Sequence, residues 1–142
     1  MKTPKFFRLE EFLTSSTARQ RSIENLPSWE IIENLCELGC FLDDLRVAWG
    51  GPITITSGYR NKALNRAVGG VDTSVHQKGL ACDMVPGNGD FEGFVRFVKN
   101  WLKDKDFDQV LIEQSKKSRW VHFGLFTNSH TQRHIISNMT VK

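Results

Sequence analysis

The chain has 142 residues, 39% of them apolar and 25% charged, a balance that suits an ordinary globular fold and excludes a disordered or fibrous one. That length is enough to bury about two-thirds of the unfolded chain's surface, and residues 1–142 read as one domain. The formal charge of +3 is too mild for a nucleic-acid-binding stripe, and no apolar run reaches the roughly 18 residues a membrane span needs. The opening MKTPKFFRLEEFLTSS lacks the apolar core of a secretory signal, so synthesis in the cytoplasm is expected. Three cysteines, with Cys36 and Cys40 one helical turn apart, do not make a disulfide framework, and reduced thiols are expected.

In chain order, Leu9 to Phe12 reads as a short helix. Ser28 caps a longer one, whose buried stripe is Ile31, Leu35, Leu38, Leu42, Leu45 and Trp49, at steps of four and three. Gly50-Gly51-Pro52 ends it. Ile53 to Thr56 is rich in β-branched residues and reads as a strand, Asn61 to Val68 as a short helix and Leu80 to Val85 as a second strand. Asp90 caps a helix running to about Lys103. Phe107 to Glu113 and Arg119 to Phe126 flank the polar turn Gln114 to Ser118, which predicts a hairpin. His130 and His134 fall in a polar tail. The order predicts an α+β fold, with helices packed on a small, largely antiparallel sheet.

The second strand poses a chemical question, because it carries Asp83 within an apolar run. Alternation puts Gly79, Ala81 and Asp83 on one face and Leu80, Cys82 and Met84 on the other. A carboxylate there needs a partner or a metal. His76 stands in the turn leading into that strand, and His122 shares a strand face with Trp120 and Gly124. Two imidazoles and one carboxylate match a catalytic zinc site with a fourth position left for water.

The segment Ser74-x-His76-x-x-Gly79-x-Ala81-x-Asp83, with Ser57-Gly58-Tyr59-Arg60 before it and Trp120-Val121-His122 after it, closely resembles the zinc D-Ala-D-Ala metallopeptidases. These cleave peptidoglycan as carboxypeptidases or endopeptidases, are common as phage endolysin domains, and are distantly related to lysostaphin-type enzymes and the Hedgehog domain. Val68-Gly69-Gly70-Val71 adds to the likeness, and Leu9-Glu10-Glu11-Phe12 looks like the amino-terminal segment of a compact phage-associated branch. The resemblance covers about residues 6 to 126 and implies the Hedgehog-like α+β fold.

The resemblance implies one Zn2+ held by His76, Asp83 and His122. It makes Arg60 a catalytic and substrate-binding residue that holds or polarises the substrate, as a guanidinium fork suits a carboxylate. Ser74 would support the ligand loop or the substrate. Trp120 reads either as a substrate-binding residue lining the cleft or as a cover for the core. Many family members carry an acidic base three positions before the last zinc histidine, where this chain has Arg119. Lysostaphin-like relatives have a histidine two positions before, where this chain has Trp120. Glu113 is then the best substitute base, taking a proton from water and returning it to the leaving amine, and Asp108 is a weaker one. The implied partner is a peptidoglycan peptide, met by a monomer at the bacterial cell wall after phage-type release, with neither nucleic acid nor membrane as partner. Lys116, Lys117 and Arg119 read as a solvated basic turn. The rival reading, favoured by the missing strand-borne acid, is a zinc-containing wall-binding module or phage structural component without turnover.

Overall fold

The computed structural model describes residues 1–141. Its longest helix begins where Ser28 Oγ accepts the Ile31 N–H, the side-chain cap the sequence anticipates. A short 3-10 turn, Leu9–Phe12, and helix α1, Ser16–Gln20, come first, followed by the long helix α2, Trp29–Trp49. Strand β1 is Ile53–Ser57, helix α3 is Lys62–Ala67, and a 3-10 turn at Val75–Lys78 leads into strand β2, Ala81–Pro86. Helix α4, Phe91–Trp101, a 3-10 turn at Leu102–Asp104 and strands β3, Gln109–Gln114, β4, Arg119–Gly124, and β5, His134–Thr140, complete the order. Gly50, left-handed at φ 79°, ends α2 by returning its N–H to the Arg46 carbonyl.

The fold is α+β, with a five-stranded sheet in the order β1-β2-β4-β3-β5. The pairings β1/β2, β2/β4 and β4/β3 are antiparallel, as the sequence predicts, but β5 joins the β3 edge in parallel and makes the sheet mixed. The polar tail is therefore partly a strand. Its side chains are mostly exposed, so ladder hydrogen bonds to β3 hold it rather than apolar burial, and no hydrophobic pattern marks it.

Period-two alternation divides the sheet chemically. Cys82, Met84, Val110, Ile112, Val121 and Phe123 point to one side, where they pack with Leu35, Leu38, Leu42 and Leu45 of α2 and Phe94 and Val98 of α4. Each fully buried leucine contributes roughly 2 kcal/mol of transfer free energy. Trp49 closes the layer edge-on against Phe94, with ring centroids 5.2 Å apart. The opposite face carries Asp83, His122, Leu111, Glu113 and Trp120, brought abreast by the register Asp83–His122–Leu111 and the cross-strand pair Glu113–Trp120. The apolar face thus anchors the strands that carry the polar residues of the other.

Candidate metal centre and its surroundings

Three chain segments deliver three donor atoms to one point. Asp83 comes from the middle of β2 and His122 from the position beside it on β4. His76 comes from the 3-10 turn before β2, whose N-cap is Ser74. Among the described residues these three form the only cluster of His, Cys, Asp or Glu close enough to share a metal ion.

The donor triangle has edges of 3.3 Å from His76 Nε2 to Asp83 Oδ1, 3.1 Å from His122 Nδ1 to Asp83 Oδ1, and 3.2 Å between the two ring nitrogens. A tetrahedral ion with bonds of about 2.0–2.1 Å sets its ligands about 3.3–3.4 Å apart. The donors thus stand within a few tenths of an ångström of that spacing before any ion draws them in.

Hydrogen bonding makes the same point. His76 Nδ1 lies 2.7 Å from the Gly58 carbonyl oxygen, which only accepts, so Nδ1 carries the proton and Nε2 presents its lone pair to the triangle. His76 is only 2% exposed. Burial, the largest influence, lowers its pKa below the usual value, against the pull of the Asp83 carboxylate. For Asp83 burial acts the other way, yet the neighbouring histidines and their hydrogen bonds outweigh it and hold the carboxyl well below the usual range. Near neutral pH the triangle therefore holds a carboxylate oxygen and two imidazole nitrogens with at most one proton among them. A buried arrangement of that kind is balanced by a cation.

The third line is a sequence match: residues 5–124 fit the family profile described as Peptidase M15. The chain belongs to this family. Peptidase M15 is the zinc D-Ala-D-Ala metallopeptidase family, and its members' dependence on zinc agrees with a donor set that could hold a metal ion. No curated protein matched the chain. The Peptidase M15 match stops at the last residue of β4, so β5 lies outside it.

Around the triangle, Arg60 donates from its backbone N–H to the His76 carbonyl at 3.1 Å and from Nη2 to Ser74 Oγ at 3.3 Å. Its Nε is buried with no hydrogen-bond partner. Burial lowers the guanidinium's pKa, and the Asp83 and Glu113 carboxylates pull it the other way. Ser74 Oγ also accepts the His76 backbone N–H at 3.3 Å, so Ser74 braces the ligand loop and ties it to Arg60.

Glu113 does not stand free in solvent. It is half-buried, and Trp120 Nε1–H donates to its Oε1 at 2.9 Å. Leu111, not Glu113, faces His122 directly, so Glu113 is the diagonal neighbour of His122, about 7–8 Å away along the sheet. Trp120, read from the sequence as lining the cleft or covering the core, spends its one polar atom on this carboxylate.

Arg119 sits on the helix side of β4. It pairs with Glu92 at 3.1 Å and lies over the Phe91 ring, 4.6 Å from its centroid. Alternation alone carries the position three before His122 away from the metal side of the sheet, so on this straight strand an acid there would point into α4. Asp108, the weaker base candidate, is buried away from the triad, and its Oδ1 accepts the Gln132 N–H at 3.2 Å. His130 bonds Thr127, and His134 opens β5. Lys116 and Lys117 are exposed in the turn.

Sequence reasoning assigned no role to Gly58, although the Ser-Gly-Tyr-Arg motif contains it. Its carbonyl orients His76, and a Cβ there would come 2.4 Å from the Phe12 carbonyl oxygen and 2.6 Å from Phe12 Cα. Only glycine admits that approach. Cys82, beside Asp83 on β2 but turned to the core, is buried, and burial pushes its thiol well above the usual pKa, so it takes no part as a thiolate.

Proposed function

We propose that this metallopeptidase hydrolyses peptide bonds at D-amino acids in bacterial cell-wall peptides, with His76, Asp83 and His122 holding one zinc ion. Bound there, zinc supplies a Lewis acid for a carbonyl oxygen and lowers the pKa of water to about 7. The observation that carries the reading as an enzyme is the state of Glu113. It lies on the metal side of the sheet, fixed by Trp120, with Oε2 left to exchange a proton.

In this reading Glu113 Oε2 takes the proton of the attacking water and delivers it to the leaving amine nitrogen. Trp120 keeps the carboxylate from rotating away. Arg60 meets the substrate's carboxylate or its developing oxyanion, and its partnerless buried Nε is the donor such a group satisfies. Ser74 holds the guanidinium and the His76 turn in one frame. Burial of the triad to 9% exposure or less keeps water from screening these charges.

A second reading, a zinc-bearing wall-binding module without turnover, is favoured by Arg119 being tied to Glu92 where relatives carry an acid. One experiment separates the two. Purified peptidoglycan is digested with zinc-loaded protein, and fragments are identified by mass, beside His76→Ala and Glu113→Gln controls. The enzyme reading expects fragments from wild type and neither control. Free D-alanine would mark a carboxypeptidase, and separated cross-linked peptides an endopeptidase. Wall binding by wild type with no fragments would leave the second reading standing. Action at the wall after phage-type release, by a monomer, belongs to the same proposal.

A further inference from the structure

Arg60 stands on a loop, yet its proposed task requires a guanidinium placed to within a fraction of an ångström. What holds that loop comes from a distant part of the chain. Asn25, in the connection between α1 and α2, sends its side chain to residues 34 and 36 positions later. Its Nδ2 donates to the Tyr59 carbonyl at 2.8 Å and to the Leu13 carbonyl at 3.2 Å, and its Oδ1 accepts the Asn61 N–H at 2.8 Å.

The Tyr59 carbonyl belongs to the peptide group before Arg60, and the Asn61 N–H to the one after it. One side-chain amide therefore clamps both peptide planes that flank Arg60. The third point is Arg60's own N–H on the His76 carbonyl. Asn61 completes the frame, donating from its side chain to the Glu24 carbonyl and capping α3 by accepting the Leu64 N–H. With both flanking planes and its own N–H fixed, the Arg60 backbone has no free torsion, and its guanidinium is left only the side-chain path to Ser74.

We infer that Asn25 is a positioning residue that acts through Arg60, fixing the guanidinium beside the metal centre for an anionic group of the peptide substrate. This rests on the reading of Arg60 as the substrate-holding cation, and the test keeps the two apart. Asn25→Ala, Arg60→Ala and the double variant are compared in kcat/KM on a released-peptide assay. Beside it run zinc stoichiometry and amide hydrogen exchange at Arg60. The alanine variant at Asn25 should lose about 10- to 100-fold in kcat/KM, while the same change in the Arg60→Ala background costs less than about twofold. Zinc stoichiometry should stay at that of wild type, and the Arg60 amide should exchange faster.

Losses that simply multiply in the double variant would overturn the inference, as would an Arg60 amide as protected as in wild type. Full activity in Arg60→Ala would defeat the role given to Arg60 alone, and the exchange rate would still decide whether Asn25 clamps it. Asn25→Asp keeps the acceptor for Asn61 and loses both donors, and it carries the same test should the alanine variant melt below the assay temperature.

Discussion

The Gly58→Ala substitution tests the link between packing and the metal centre. The added methyl would meet three backbone atoms of Phe12, at 2.4, 2.6 and 2.9 Å, with no flexible side chain to swing aside. Ordinary contact begins near 3.4 Å, so the two segments must part by about 1 Å. The bond from the Tyr59 N–H to the Phe12 carbonyl, now 2.7 Å, would stretch with them. Overpacking of this kind costs about 1–3 kcal/mol, and a chain of this size loses about 3–4 °C of Tm per kcal/mol.

The same displacement drags the Gly58 carbonyl from His76 Nδ1, which it meets at 2.7 Å. Loss of such an orienting hydrogen bond lowers metal affinity by about 10- to 100-fold. Calorimetric zinc titration against a competing chelator, with thermal melting by circular dichroism, reads both effects. Zinc affinity within twofold of wild type in a variant that melts several degrees lower would refute the claim that this carbonyl sets the ligand. An unchanged Tm would refute the steric argument itself.

Further predictions follow from the same geometry. Trp120→Phe removes one hydrogen bond to Glu113, worth about 1.5 kcal/mol, so kcat should fall about tenfold with KM nearly constant; a raised KM at unchanged kcat would make Trp120 a substrate contact instead. In chelator, stability should fall on acidification. The unfolded chain takes up a proton at His76 below about pH 6.5 that the folded chain resists, and Asp83 adds a loss of the same sign below about pH 4. Urea unfolding curves that coincide at pH 7.5 and 5.0 would contradict this. Arg119→Ala breaks an exposed ion pair with Glu92 and the stacking of the guanidinium over Phe91, so it should cost at most about 2 kcal/mol in a urea titration and leave kcat/KM at the wild-type value in the released-peptide assay.

Much of this architecture was legible where burial leaves a period in the sequence. The leucines of α2 recur at helical spacing because one face meets the sheet, and the alternation around Asp83 separates it in the sequence from Cys82 and Met84. Helix α1 left no such trace, since Ser16–Gln20 is five residues with only Ala18 buried. Strand β5 was hidden for a related reason, as its side chains stay in solvent. The chemistry of the site divides in the same way. His76, Asp83 and His122 declare themselves by residue type. Gly58 acts through its carbonyl on the ring of a histidine 18 positions away, and Asn25 on backbone groups 34 and 36 positions away, and composition records none of that.

The zinc reading requires His76, Asp83 and His122 to hold one divalent ion between them. Equilibrium dialysis against zinc, with metal content measured by mass spectrometry, tests it on wild type and on a folded Asp83→Ala variant. One tightly held zinc per wild-type chain is expected, lost when Asp83 is replaced. Wild-type chains that retain no zinc, or Asp83→Ala chains that keep one with equal affinity, would contradict it.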